Sequence, residues 1–178
     1  NEQKARELYE EYLFFEKDAV YYPAKDILFY QSDLRGNVLT RERILALKRI
    51  AERKDTTLVT TFDALMNRMP EPRRFLSAVK RLGVGDAIDL EAMKKSFVEM
   101  GYEAVSQVEA AGQFAVRGGI VDIFPLTQDN PYRIELWDDE IDSLRSFDVE
   151  SQRSIENLSK IEIYPAMELI LKDGEKEK

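Results

Sequence analysis

The chain has 178 residues, is 44% apolar and 34% charged, and contains neither cysteine nor histidine. That length and apolar share supply one ordinary domain or two small ones with a real core, while the missing residue types exclude disulfides, thiolate metal sites, the usual zinc ligand sets and imidazole acid–base catalysis. Charge is uneven: residues 1–80 carry 15 Lys and Arg against 13 Asp and Glu, and residues 81–178 carry 11 against 21.

In chain order, Ala5, Leu8, Tyr12 and Phe15 recur at roughly helical spacing and predict an amphipathic helix over residues 2–15 with these side chains inward. Val20–Tyr22 reads as a short strand closed by Pro23, residues 26–30 as an extended or turn segment, and Arg35-Gly36-Asn37 as a turn. Thr40 reads as the N-cap of a helix through Lys54, with Ile44, Leu47 and Ala51 inward and Arg43, Lys48, Arg49 and Lys54 facing water. Thr57–Thr61 suits a buried strand, and Phe62 opens a short helix that stops before Pro70 and Pro72. Alternating helices and strands make residues 1–80 an α/β layer.

Residues 69–74 are rich in Pro and charge and read as a loop, residues 75–82 as a strand, and Val84-Gly85-Asp86 as a turn. The Gly83-x-Gly85 pair lacks the third glycine of a dinucleotide loop and is assigned to that turn. Asp89 caps a helix through Met100, striped by Leu90, Met93, Phe97 and Met100 and ended by Gly101. Runs rich in β-branched and aromatic residues follow, broken at Gly118-Gly119, Asp129-Asn130-Pro131 and Asp138-Asp139, which predicts an antiparallel meander. Phe114, Val116, Tyr132, Ile134 and Leu136 then share an apolar face, which the helix should cover, and Arg117, Arg133, Glu135 and Trp137 share the opposite face. The second region, residues 81–160, is thus a curved antiparallel sheet under one helix. Residues 161–171 read as a strand returning to the first layer, and the charged tail from Lys172 as frayed.

Asp138, Asp139, Glu140 and Asp142 lack the glycine of a calcium loop and are read as an acidic hairpin turn, and no Gly-x-x-x-x-Gly-Lys-Ser/Thr occurs, so neither metal, cofactor nor enzymatic activity is expected. Without an apolar run of about 20 residues or a basic-apolar leader, the expectation is a soluble cytoplasmic protein with no membrane partner. Arg117 ends a strand before a glycine pair that lets another backbone approach, and it either pairs within the chain with Asp122 or Glu135 or meets a partner. Trp137 is either a rim anchor or a core-edge residue.

The series GQFAVRGGIVDIFP, YRIELWDDEIDSLRSFD and IYPAMEL resembles the UvrB-homology module at the N-terminus of bacterial transcription-repair coupling factors and, more distantly, UvrB itself. NEQKARELYEEYLFF and TLVTTFDALMNRMP fit the segments that precede that signature. The resemblance implies that the first layer is RecA-like but lacks its first strand and phosphate loop. It also implies that the polar side of the sheet binds UvrA, with Arg117, Asp122, Arg133, Glu135 and Trp137 as docking candidates. RNA polymerase and DNA would be met by other domains of the intact protein. The alternative within the lineage is a UvrB-type excision-repair helicase subunit, but residues 23–56 are too few for the tyrosine-rich hairpin of UvrB plus a helix; a rival of a different class is an ATP-dependent DNA helicase fragment whose phosphate loop lay upstream.

Because non-specific DNA affinity comes from neutralised phosphates, the acidic second half is a poor DNA surface. The chain is expected to bind duplex DNA weakly or not at all; micromolar binding by fluorescence anisotropy in ~150 mM salt would contradict this.

Overall fold

Helix α1 (Glu2–Leu13) starts at Asn1, whose side chain accepts from the Lys4 amide at 3.3 Å and satisfies one open donor of the first turn. The computed structural model describes residues 1–25, 34–52, 55–67 and 69–168, which fall into two units, Asn1–Ser77 and a second from Ala78 on. Among the described residues no helix is long and apolar enough to cross a membrane.

In the first unit, β1 (Val20–Tyr22) and β2 (Leu58–Thr60) run parallel, with Tyr21 opposite Val59, and α2 (Leu34–Ala51) supplies the crossover that parallel strands require. The α/β reading holds here, with three differences of detail. First, α1 turns Ala5, Tyr9 and Leu13 inward at a spacing of four, while Leu8, Tyr12 and Phe15 are exposed. Tyr9 stacks on Tyr21 at 5.6 Å and Arg6 pairs bidentately with Glu42 at 2.8 Å, and these contacts select the face. Second, α2 runs through the predicted turn at 35–37 and places Thr40 inside the helix. Burial of Ile44, Ala46, Leu47 and Ala51 outweighs the ~1 kcal/mol that one glycine costs in a helix. Third, Arg43 does not face water: it is 2% exposed, lies 3.9 Å over the Tyr22 ring, and donates to the Pro23 carbonyl and the Tyr22 hydroxyl. A guanidinium tolerates burial when its donors are matched and its plane is stacked. Lys48 and Arg49 keep partial exposure, whereas Lys54 and the segment 26–30 lie outside the described residues.

Thr61 caps α3 (Phe62–Leu65), and α4 (Pro72–Ser77) occupies part of what the sequence suggested was loop and then strand. Pro72 stands at the first helical position, where its fixed φ is an advantage, and Phe75, 1% exposed, anchors the turn beside α2. The strand therefore begins later, as β3 (Lys80–Gly83).

The second unit matches its reading more closely. Asp89 caps α5 (Leu90–Glu99), accepting from the Glu91 and Ala92 amides at 3.0 Å each, and Gly101 ends it at φ +90°. A six-stranded sheet follows in chain order: β4 (Glu103–Ala104), β5 (Gln113–Arg117), β6 (Ile120–Ile123), β7 (Tyr132–Trp137), β8 (Glu140–Phe147) and β9 (Ser154–Leu158). Every pairing is antiparallel except the short β4–β5 contact. Met93 and Phe97 of α5 and its C-cap Met100 join Phe114, Val121, Ile134, Ile141 and Leu144 in one core, with the Phe97 and Phe114 rings edge-on at 5.4 Å. The return strand belongs to this unit: β10 (Lys160–Ile163) pairs antiparallel with β3 and adds Ile161 and Ile163 to the same core. Residues 169–178, including the predicted tail, lie outside the described residues.

Two local devices shape the sheet. Between β7 and β8 the register steps from Glu135↔Ser143 to Leu136↔Ile141, so one extra residue, Asp142, bulges and leaves both Ile141 and Leu144 in the core. Between β5 and β6 the turn is Gly118-Gly119, with Gly118 at φ +60°. A Cβ on Gly119 would stand 3.0 Å from the Leu136 carbonyl oxygen, close to where the Leu136 amide donates to the Gly119 carbonyl at 2.8 Å.

Phe97→Ala is expected to cost roughly 3–5 kcal/mol in urea melts, and a loss under about 1 kcal/mol would place that ring outside the core. Gly119→Ala is expected to cost about 1–3 kcal/mol, because the obstructing atom is backbone in a paired strand; wild-type stability in the same assay would refute the close approach.

Candidate functional site

The face of the sheet opposite α5 is polar because the strand alternation dictates it. Directly opposed residues on neighbouring strands point to one side, and the register places Ala115, Asp122, Arg133, Arg145 and Asn157 in one row across β5 to β9. A second row holds Arg117, Ile120, Glu135 and Ser143. Two arginines, 133 and 145, therefore stand side by side, an arrangement that is destabilising unless each cation has its own anion.

Asp122 serves the first. Its side chain is 2% exposed and accepts from Arg133 Nε at 2.7 Å and Nη2 at 2.8 Å, and from Arg117 Nη2 at 2.8 Å. A buried carboxylate is tolerable only when paired and hydrogen-bonded, and here two guanidiniums do both. The bonds to Asp122 hold the Arg133 guanidinium above its ordinary pKa, against the opposing effect of burial. Arg133 also donates from Nη2 to Gln152 Oε1 at 2.9 Å, and its carbon centre lies 4.2 Å from the centroid of the buried Phe147 ring. Glu135 serves the second arginine, accepting from Arg145 Nη2 and, at 2.8 Å, from the Ser143 hydroxyl. Arg145 Nε is buried without a hydrogen-bond partner.

The structure thus brings Arg117, Asp122, Arg133 and Glu135 together on one face. Arg117 takes the pairing with Asp122 that the sequence left open, yet its side chain stays 46% exposed. Trp137 lies at the end of β7, 78% exposed, so it has no core-edge role. Asp122 sits beneath the arginines rather than among the exposed groups. Arg145, Gln152, Ser143 and Phe147 were missed. The spacing of Ile141 and Leu144, two core residues three apart, was the available signal that a bulge turns Arg145 toward the polar face.

Elsewhere, Asp138, Asp139, Glu140 and Asp142 surround the β7–β8 turn, but among the described residues no group of three or more acidic side chains converges on a point that would hold a metal. A cleft of about 370 Å³ in the first unit is lined by Glu2, Arg6, Pro23 and Lys25 among others. Its central charges are satisfied within the unit, Arg6 by Glu42 and Glu2 by the Ala24 amide at 2.9 Å and the Thr61 hydroxyl at 3.0 Å.

Residues 81–169, the segment that contains this face, match the family model of the UvrB interaction domain. The chain is 36% identical over 164 residues to the transcription-repair-coupling factor of Bacillus subtilis (strain 168), an alignment covering 92% of this chain and 14% of that protein. It is likewise 36% identical over 159 residues to that of Staphylococcus aureus (strain bovine RF122 / ET3-1), covering 89% of this chain and 14% of the relative. The chain therefore spans about one-seventh of the length of the curated relatives it matches. With half of its residues under the family model, the chain belongs to the UvrB interaction domain family.

Proposed function

We propose that the polar face of the second unit docks UvrA, and that the chain acts as the recruitment module of a transcription-repair coupling factor, bringing nucleotide excision repair to stalled transcription. The observation that carries this reading is the arginine cluster built over Asp122, on the side of the sheet opposite α5. Arg117 and Trp137 are the most exposed of these candidates, and Arg133 and Glu135 are less so. Arginine and tryptophan are the residue types that dominate the energy of standard interfaces.

In the same reading, residues 1–80 are a partial RecA-like layer, residues 81–160 the docking region, and residues 161–178 a return strand and tail. The chain works in the cytoplasm without catalytic residues of its own, and RNA polymerase and DNA are met by other parts of the intact protein.

Titration of surface-immobilised UvrA tests the assignment. Arg117→Glu replaces an attraction by a repulsion and is expected to cost at least ~2 kcal/mol, about thirtyfold in affinity. Arg133 still holds Asp122 through two bonds in this variant, so the fold is expected to be kept at some cost in stability, which a parallel urea melt reads. Glu135→Arg should weaken docking as well. Arg49→Glu, in the first unit where Arg49 pairs with Asp18 at 2.7 Å, should leave it intact. Equal affinity for wild type and Arg117→Glu would move the partner site off this face, and a loss confined to Arg49→Glu would move it to the first unit.

A further inference from the structure

Arg133 is held by more contacts than a surface arginine needs for stability. Asp122 fixes its Nε and Nη2, Gln152 takes a further bond from Nη2, and the Phe147 ring lies against its face. The bonds to Asp122 and Gln152 use Nε and Nη2 of Arg133 and Nη2 of Arg117, which leaves each guanidinium further donors for an additional acceptor. A carboxylate matches two adjacent guanidinium edges in both charge and geometry.

Gln152 is the unusual member. It lies in the turn between β8 and β9 at φ +58°, a conformation that non-glycine residues adopt at a cost. Several bonds of the turn are made without its side chain: the Gln152 backbone amide donates to the Asp148 carbonyl at 2.8 Å, and Asp148 Oδ1 accepts from the Ser151 amide at 2.8 Å and hydroxyl at 2.6 Å. A glycine would meet those requirements with less strain. What the glutamine adds is an amide braced on the Val149 carbonyl at 2.8 Å, with its oxygen turned to Arg133.

We propose that Gln152 and Asp122 are positioning residues of the docking face, ordering Arg133, and through Asp122 also Arg117, before the partner arrives. The proposal rests on the docking reading above. An arginine already fixed in its bound orientation avoids the entropy cost of ordering a long side chain at the interface.

The test is UvrA affinity, thermal stability and the ¹⁵N signal of Arg133 Nε–H in the full chain. Gln152→Gly removes the brace and relieves the left-handed backbone, so it should melt at or above the wild-type temperature yet bind UvrA about two- to tenfold more weakly. Asp122→Asn keeps the shape and removes the charge; about tenfold weaker binding or more is expected, with exchange broadening of the Arg133 signal. In an Arg133→Ala background, Gln152→Gly should change affinity no further. Full affinity of Gln152→Gly while Arg117→Glu loses binding would overturn the positioning role and leave the docking reading standing. An undiminished Gln152→Gly effect in the Arg133→Ala background would also overturn it, since Gln152 would then act by another route. Absence of any wild-type binding to UvrA would remove both.

Discussion

The second unit depends on one buried charge. Asp122 sits in the middle of a sheet, almost without solvent, and a carboxylate in that position is tolerated because Arg133 holds it through two charge-assisted bonds and Arg117 adds a third. The anion that makes the arginines compatible with the sheet also fixes the orientation of their guanidiniums. Arg145, directly opposite Arg133, needs the separate carboxylate of Glu135 for the same electrostatic reason.

Three arginines against two carboxylates make the centre of this face locally cationic, although the half of the chain that carries it has 11 basic against 21 acidic residues. A small basic site within an acidic surround disfavours the extended phosphate backbone of DNA, which rewards many cations at once, and suits a partner protein that offers one or two acceptors at fixed positions. The opposite face has the ordinary task of a core, where α5 and the β3–β10 pair bury its apolar side chains. Each strand of the meander therefore contributes to both the core and the polar face, divided by the alternation of its side chains.

The first unit repeats the same physical solution for a different end. Arg43 is buried against Tyr22 with its donors matched by oxygen atoms, and that contact ties the crossover helix α2 to strand β1. Positive charge is used there as structural packing, whereas in the second unit it is left partly exposed on Arg117.

The sequence by itself determined the elements whose signals are local and agree with one another. The Asp89 cap, the Leu90, Met93, Phe97 and Met100 stripe and the Gly101 stop specify α5 without reference to anything distant, and the strand alternation around Gly118-Gly119 separates core from polar face. Three of the candidate residues, Arg117, Arg133 and Glu135, follow from that alternation together with the family signature, and Asp122 from its place as a pairing partner for Arg117. Tertiary structure alone decided the rest, because the deciding partner lies far along the chain. Which face of α1 turns inward depended on Tyr21, and the burial of Arg43 on Tyr22 and Pro23. The position of Arg145 depended on the bulge at Asp142, and the contact of Gln152 with Arg133 on a turn whose left-handed residue carries no glycine to announce it. Local propensity costs about 1 kcal/mol or less per residue, and a single buried ring or matched guanidinium outweighs it.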